Sequence, residues 1–225
     1  MKEFKDLHKG ERVVIIGNGP SLNQTNLDLL ENEFTIGLNK IYLLFPKIKW
    51  RPTYITSYIR DVVHQAKESY QDLDIPLFVS TEAFDLVSNR PHPTYKYGPN
   101  RRFSFSFDPF VDVCVGFTVT YVAMQLAFFM GFKKVCLIGV DHSFNYKGES
   151  SKWQTLDKEY SGRHFVDNYF QKGQTWESPN LEMAEAHYAL AKAVFNYCDR
   201  EIVDCTVDGQ LSIFRKSSLE QELSD

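Results

Sequence analysis

Apolar and polar positions alternate along the chain with two different periods. Six short apolar runs rich in β-branched and aromatic residues are typical of buried strands; they lie at residues 12–16, 34–38, 53–56, 76–80, 134–138 and 201–205. Segments with apolar residues at helical spacing separate them, at 59–70, 119–130 and 182–197, with shorter pieces at 27–32 and 41–45. Strands that alternate with helices indicate a parallel sheet covered on both faces. The pattern therefore predicts an α/β protein, Rossmann-like, with a mostly parallel sheet and helices on both faces, in a single domain over residues 1–225.

Three stretches lack a clear period. Residues 89–112 are rich in Pro, Asn and aromatic residues and predict only a short edge strand at 103–107. Residues 145–180 are polar and aromatic, and a long irregular segment inside a domain is usually functional, so they predict an aromatic-rich lid or insertion. The tail at 211–223 predicts a short strand or 3₁₀ turn followed by a fraying helix.

Charge and cysteine usage narrow the class of protein. The net charge of −4 argues against a general nucleic-acid binder, which needs a basic face. The four cysteines (Cys114, Cys136, Cys198 and Cys205) form no C-x-x-C pair, which favours reduced, buried thiols in a cytoplasmic protein. The charged N-terminus carries no apolar signal core, and no run of about 18 apolar residues occurs. We therefore expect a cytoplasmic protein without a membrane span; peripheral membrane association and homo-oligomerisation stay open.

The stretch 13–22, "VVIIGNGPSL", indicates a buried strand that enters a Gly-rich turn. It matches neither G-x-G-x-x-G nor a P-loop, which would add Lys-Ser/Thr. Ligands of open α/β sheets bind beyond the carboxyl ends of the strands. There Gly17 and Gly19 would allow close approach, while Asn18 and Ser21 would offer hydrogen bonds. The alternative is a tight turn with Ser21 as an ordinary helix N-cap.

Further polar residues follow the other predicted strands. Asn39 ends the second strand and Ser57 the third, so both are expected on the same edge of the sheet as Asn18. Neutral amides and hydroxyls suit a ribose and a base edge better than a triphosphate with magnesium. At the start of the long apolar helix, Gly116, Thr118 and Thr120 lie where helix N–H groups can bind an anion; capping alone is the other reading of Thr118.

Three side chains are candidates for catalysis. Asp141 ends the "KVCLIGVD" strand and could hold a sugar hydroxyl, a pterin-like amide edge or a metal ion. The neighbouring His142 could act as an acid or base near neutral pH. His164 lies in the predicted lid beside Arg163, where Tyr146, Tyr160 and Tyr169 could stack on a base or sugar or simply pack together.

Two blocks, residues 13–45 and 116–144, together resemble a known family. "VVIIGNGPSLNQTNLDLLENEFTIGLNKIYLLF" and "GFTVTYVAMQLAFFMGFKKVCLIGVDHSF" are similar to the bacterial domain labelled 6-hydroxymethylpterin diphosphokinase-like, which is found in many surface-polysaccharide proteins. Both blocks also look like the small bacterial CMP-sialic acid-dependent sialyltransferases. The second resemblance implies that Asn18, Ser21 and Asn39 contact a cytidine nucleotide and that the helix start at Thr118 binds the donor as well.

The resemblance implies a nucleotide-binding domain and, first, a glycosyltransferase-like enzyme of cell-surface polysaccharide synthesis. It would use a nucleotide-activated sugar, CMP-linked, and a glycan acceptor, would need no cofactor, and would employ His142 or His164 as the base, since no His aligns with the family's base near Trp176. A diphosphokinase that uses ATP and Mg²⁺ is the alternative, with Asp141 as metal ligand and Asp61 as a second. A non-catalytic nucleotide-sugar binding module is the third reading.

Overall fold

The computed structural model describes residues 2–143, 150–156 and 164–224. In chain order, these residues form the strands β1 (Arg12–Ile16), β2 (Thr35–Leu38), β3 (Tyr54–Ser57), β4 (Leu77–Ser80), β5 (Thr94–Tyr97), β6 (Pro99–Asn100), β7 (Val113–Cys114), β8 (Lys134–Ile138), β9 (Trp153–Thr155), β10 (Thr175–Glu177), β11 (Glu201–Asp204) and β12 (Arg215–Lys216). The α-helices are α1 (Arg60–Gln71), α2 (Val119–Phe129), α3 (Leu181–Tyr197) and α4 (Leu219–Leu223). Short 3₁₀ helices lie at Lys2–Phe4, Pro20–Gln24, Leu27–Leu30, Ile41–Lys47 and Phe84–Leu86.

Eight of these strands form one sheet in the order β12-β11-β8-β1-β2-β3-β4-β5. Every pairing within this sheet is parallel. The chain moves outward from β1 to β5 and then returns to place β8 on the other side of β1. The strand order therefore reverses between β1 and β8, and ligands of such sheets bind in the crevice at this point. The predicted Rossmann-like α/β fold is confirmed.

Side chains of the central strand alternate between two cores, as the two-residue period of a strand requires. Val13 and Ile15 pack in one core with helices α2 and α3, whereas Val14 and Ile16 pack in the other core with helix α1. Helices thus cover both faces of the sheet, as predicted. Helix α2 is buried from Thr120 to Phe129, which explains why its sequence is apolar on every side.

The predicted edge strand at 103–107 is wrong. The Phe-Ser alternation mimics a half-buried strand, but these residues form no strand and instead pack on helix α2. The Gln125 side chain holds them there, because its Oε1 accepts from Ser106 N (2.9 Å) and Cys114 N (3.1 Å) and its Nε2 donates to Cys114 O (2.7 Å). Strand β5 forms this edge of the sheet, with β12 at the other edge, and the following β6 and β7 pair separately with each other.

The predicted lid is partly described. Strands β9 and β10 form an antiparallel hairpin, and Phe165, Tyr169 and Phe170 bury their rings in the core that contains α1. Tyr146, Tyr160 and Arg163 lie outside the described residues. Among the cysteines, Cys198 is exposed, contrary to the expectation of buried thiols, while the other three are buried. Within the described ranges, no helix has both the length and the apolar character needed to cross a bilayer.

Candidate functional site

A cleft of about 180 Å³ opens beyond the carboxyl ends of β1, β2 and β8, at the point where the strand order reverses. We call it the central cleft. Nine of the predicted site residues line it: Gly17, Asn18, Gly19, Asn39, Thr118, Thr120, Asp141, His142 and His164. Three do not, namely Ser21, Ser57 and Gly116. The topology therefore brings most of the predicted residues to one place.

The two glycines of the N-G-P-S loop serve contact between two loops of the protein. Gly17 N donates to Ile138 O (2.8 Å) and Gly19 N to Gly139 O (2.9 Å), so the loop after β1 lies directly on the loop after β8. A Cβ on Gly17 would lie 2.2 Å from Gly139 O. Neither Gly17 nor Gly19 has a left-handed backbone, so the close approach, and not torsional freedom, requires glycine here.

Ser21 binds Asp141 and does not itself line the cleft, so its contact with a nucleotide stays a prediction. Its backbone N donates to Asp141 Oδ1 (3.0 Å) and its hydroxyl to Asp141 Oδ2 (2.7 Å), and the Ser21 residue is buried. Burial raises the pKa of the Asp141 carboxyl above its usual range, while the hydrogen bonds from Ser21 oppose that rise. Ser21 and Asp141 thereby lock the two loops together beneath the cleft.

The two asparagines of the cleft differ in whether the oxygen of the side-chain amide accepts a hydrogen bond. Asn18 Nδ2 donates to Leu38 O (2.9 Å), but its buried Oδ1 has no hydrogen-bond partner among the described residues. Asn39 Oδ1 accepts from the hydroxyl of Ser57 (2.9 Å), and Ser57 is fully buried. Ser57 therefore orients Asn39 and does not line the cleft, and its contact with a nucleotide stays a prediction. A buried acceptor without a donor costs about 1–3 kcal/mol, so Asn18 Oδ1 is an acceptor that a hydrogen-bond donor in the cleft could satisfy.

Two helix N-termini meet at the cleft. Thr118 caps α2, accepting from Thr120 N (3.3 Å), and Asn180 caps α3, accepting from Met183 N (3.1 Å). Tyr188 OH lies 3.4 Å from Thr118 Oγ1 and joins the two helices. Unpaired N–H groups and helix dipoles at such ends favour a negatively charged ligand.

The start of α3 is the part of the site that sequence reasoning missed. Asn180, Leu181, Ala184 and Tyr188 all line the cleft. The sequence does carry a signal for this part of the site, because Asn180 comes directly before a strongly amphipathic segment, where an Asn can cap a helix. The start of a helix that faces a cleft can bind an anion. Gly116 lies outside the cleft; its backbone is left-handed (φ 55°), and a Cβ there would meet the ring of Tyr121 at 2.3 Å.

His142 is held by a carboxylate. Its Nε2 lies 2.8 Å from Glu185 Oε1, with the imidazole 7% exposed and the Glu185 side chain 45% exposed. Because a carboxylate only accepts, Nε2 carries the hydrogen, and Nδ1 is left as the basic nitrogen. His164 also lines the cleft, but its ring stacks flat on Tyr169, with centroids 3.8 Å apart and planes at 3°. His142 thus has an orienting carboxylate, as a general base requires.

Three of the seven non-glycine residues with a left-handed backbone in the described ranges line the cleft. Asn39 (φ 47°), Phe117 (φ 61°) and His142 (φ 53°) all adopt the left-handed conformation and all line the cleft. For a bulky residue such as Phe117, this conformation is an outlier. Such strain costs on the order of 1–3 kcal/mol per residue and clusters at functional sites.

Lys40 ties the lid to the end of β2. Its ammonium, 3% exposed, donates to Tyr169 O (2.8 Å) and Gln174 Oε1 (3.2 Å) and lies 4.8 Å from the centroid of the Phe170 ring. Burial lowers the pKa of this group to about 8. The lysine therefore holds the aromatic wall formed by Tyr169 and Phe170 next to Asn39.

We predict a pH-dependent contribution of Lys40 to stability. Because its pKa is lower in the folded chain (about 8) than in the unfolded one (10.5), the unfolded state binds more protons between these values, and folding stability rises with pH across that window. Below about pH 8 both states are protonated, and the contribution is constant. The free energy of unfolding, measured in urea at about pH 7 and about pH 10, should increase by about 2 kcal/mol more in the wild type than in Lys40→Met.

Comparing the wild type with Lys40→Met isolates the contribution of Lys40 to the pH dependence of the free energy of unfolding, because the other titratable groups are present in both proteins. Lys47→Met is the matched control, because Lys47 is exposed and bonds only Asn23 in the described chain. This control should follow the wild type at both pH values. An equal pH response in the wild type and Lys40→Met would contradict the prediction.

Comparison with known proteins adds two findings. The model of the family described as "6-hydroxymethylpterin diphosphokinase MptE-like" matches residues 1–147. Among solved structures, the MAf glycosyltransferase from Magnetospirillum magneticum AMB-1 shares the fold with a TM-score of 0.59 at 14% sequence identity, over 95% of this chain. The present chain spans 35% of that enzyme's chain. No curated protein matches the chain.

Proposed function

Since the chain belongs to the 6-hydroxymethylpterin diphosphokinase MptE-like family, we propose that it is a glycosyltransferase-like enzyme whose central cleft binds the nucleotide of an activated sugar. The donor that fits best is CMP-linked and carries an acidic sugar, and the acceptor is a glycan of the cell surface. The resemblance to CMP-sialic acid-dependent sialyltransferases and the fold shared with a glycosyltransferase support this reading.

The observation that carries the proposal is the buried Oδ1 of Asn18, which lacks a donor in the described chain. An exocyclic amine of a base or a ribose hydroxyl supplies such a donor. No Lys or Arg among the described residues lines the cleft, whereas the starts of α2 and α3 do. Two helix N-termini suit a single phosphate diester better than a triphosphate, which normally requires a lysine and magnesium.

The chemistry would be a direct displacement at the anomeric carbon. His142 Nδ1 takes the proton of the acceptor hydroxyl while Glu185 holds the imidazole, and the departing nucleotide phosphate gains charge next to the N-termini of α2 and α3. Positioning and anion stabilisation carry most of the rate in such a mechanism, and a base of suitable pKa adds about 10²–10⁴-fold.

A thermal-shift panel tests this function directly. CMP, CDP, UDP, GDP and ATP are compared, each with and without Mg²⁺. A ligand at about 100 times its dissociation constant stabilises the fold by about 2.7 kcal/mol, which moves the melting temperature by a few degrees. We expect CMP to shift it whether or not Mg²⁺ is present, and no shift with CMP would contradict the proposal.

The same assay tests the role of Asn18. Asn18→Ala should weaken CMP binding by about tenfold, which corresponds to the loss of roughly one hydrogen bond. Asn196→Ala is the matched control, because Asn196 is exposed in the last turn of α3, at the end opposite the helix N-terminus. Equal CMP affinity in Asn18→Ala and the wild type would remove Asn18 from the nucleotide site.

A diphosphokinase that uses ATP and Mg²⁺ is the second candidate, favoured by the description of the family. The described residues fit a protein-held metal poorly: both carboxylate oxygens of Asp141 already accept from Ser21, and no three His, Cys, Asp or Glu side chains of the described ranges could hold a metal ion together. Asp61 lines a different cavity and accepts from Thr175 Oγ1 (2.6 Å). A shift only with ATP and Mg²⁺ would establish this alternative. Tight nucleotide binding without any donor turnover or hydrolysis would instead indicate a binding module.

A further inference from the structure

A second cavity of about 550 Å³ adjoins the central cleft. We call it the side cavity. Phe117 and Asn180 line both cavities, so a molecule in the side cavity reaches the wall of the central cleft at these residues. Phe117 is 44% exposed and is one of the strained residues described above. At about 550 Å³, the side cavity is large enough for a saccharide ring.

The hairpin of β9 and β10 forms one wall of the side cavity. Trp153 and Glu177 are direct partners in the register of the hairpin, and both line the cavity. Directly opposed residues of an antiparallel pair lie on the same face, so an indole ring and a carboxylate stand side by side here. Trp153 is 52% exposed, and the Glu177 carboxylate has no hydrogen-bond partner in the described chain. A flat apolar ring beside a carboxylate that can accept hydrogen bonds matches the apolar face and the hydroxyl edge of a pyranose.

The lining of the side cavity also carries charges of both signs. Arg101 pairs with Glu82 through two contacts (3.2 and 3.3 Å), and Arg60 pairs with Asp85. The guanidinium groups are thereby neutralised by carboxylates of the protein itself. Asp61 and Glu177 are further carboxylates of this cavity that form no direct ion pair among the described residues, although Arg60 and Arg101 lie near enough to interact with them electrostatically. A second anion in the cavity would be repelled by them, whereas neutral hydroxyls can donate to them.

We propose that the side cavity binds the terminal sugar of an uncharged glycan, with its apolar face on Trp153 and its hydroxyls donating to Glu177 and Asp61. That this glycan is the acceptor of the sugar transfer rests on the proposed function. The binding itself rests only on the lining of the cavity. The sugar then lies beside Phe117 and Asn180, on the side of the central cleft.

Titrations with simple glycosides test the inference. The uncharged methyl β-glycosides of glucose, galactose and N-acetylglucosamine, together with the anionic methyl α-glycoside of N-acetylneuraminic acid, are titrated into the full chain by saturation-transfer NMR, with affinities expected on the order of millimolar. The variants are Trp153→Ala, Trp153→Phe and Glu177→Gln. Tyr197→Ala is the matched control, because Tyr197 is 90% exposed on α3 and lines neither cavity. CMP binding is measured in parallel on every variant.

We expect at least one uncharged glycoside to bind and the sialoside to bind more weakly. Trp153→Ala should weaken the uncharged glycoside about tenfold and Trp153→Phe less, because phenylalanine keeps an aromatic face. Glu177→Gln should weaken it by a few-fold, and Tyr197→Ala should leave it unchanged. CMP affinity should change less than twofold in all four variants.

Other results would contradict either the saccharide site in the side cavity or the proposed transferase function, and the two failures can be told apart. The inference fails if no uncharged glycoside binds, if the sialoside binds more tightly, or if Trp153→Ala binds the glycoside like the wild type while it also keeps its CMP affinity. If uncharged glycosides bind in a Trp153-dependent way and CMP does not bind at all, the side cavity is a saccharide site and the proposed transferase function is wrong.

Discussion

Replacing Gly17 by alanine is expected to lower the free energy of unfolding by about 3 kcal/mol and to abolish nucleotide binding. The new Cβ would lie 2.2 Å from Gly139 O and 2.7 Å from Gly139 C, and both atoms belong to the backbone. A flexible side chain could move aside, but here the loops after β1 and β8 must separate. That movement breaks the Gly17 N–Ile138 O bond and pulls on the Ser21–Asp141 contact beneath the cleft. Overpacking and the lost hydrogen bonds both lower the free energy of unfolding.

Urea unfolding and CMP titration measure the two effects of Gly17→Ala. Gly98→Ala is the matched control, since the nearest atom to its Cβ would be Val111 O at 3.6 Å and its backbone is not left-handed. The control should stay within about 0.5 kcal/mol of the wild type, because a glycine in a compatible conformation tolerates alanine. A Gly17→Ala protein as stable as Gly98→Ala would show that the two loops do not need their close contact.

Replacing His142 by asparagine is expected to lower the rate of sugar transfer by about 10²–10⁴-fold with little change in nucleotide affinity. The imidazole is the group of the His142–Glu185 pair that lines the central cleft. Asparagine is the variant of choice because it tolerates the left-handed backbone of this position (φ 53°) better than most residues. Single-turnover transfer from a CMP-sugar donor and CMP titration separate the chemical step from binding.

Companion variants assign the parts of this mechanism. Glu185→Gln should cost less than His142→Asn, since it loosens the orientation of the ring without removing the base. His64→Asn is the matched control, because His64 is exposed on α1 and lines no part of the central cleft among the described residues. Transfer within a few-fold of the wild type in His142→Asn, together with its loss in His164→Ala, would move the role of base to His164.

The pattern of the sequence was sufficient for most of the strands and for the direction in which they run. Runs such as "RVVII" and "KVCLI" are apolar on both faces, which only a sheet covered on both sides requires, and six of the strands of the main sheet were found in this way. Strand β5, "TYKY", was missed, because an edge strand has one neighbour and is half-exposed, so its composition resembles a loop. The Phe-Ser alternation at 103–107 was assigned a strand, but the buried amide of Gln125 binds this backbone and Phe103 and Phe107 remain about 60% exposed.

The sequence predicts where the candidate site lies better than it predicts which side chains line it. Parallel strands end at one edge of the sheet, so the residues after β1, β2 and β8 had to gather there, and Asn18, Asn39 and Asp141 do. Ser21 and Ser57 are on the same edge, but each turns to a polar partner of the protein. The contribution of α3 came from residues about 40 positions beyond β8, and no local pattern connects them to the loop after β1.

The sequence by itself determined the order of the elements, the parallel sheet and the edge at which the central cleft lies, because these follow from the periods of apolar residues and from the rules of strand connection. Only the tertiary structure decided which polar atoms remain available to a ligand. Hydrogen bonds between residues 120 positions apart, as in Ser21–Asp141, satisfy some of these atoms, while others such as Asn18 Oδ1 are left without a donor in the described chain. The physical reason is that a side chain's hydrogen bonds depend on the geometry of loops that pack on each other, and neighbouring residues in sequence do not define that geometry.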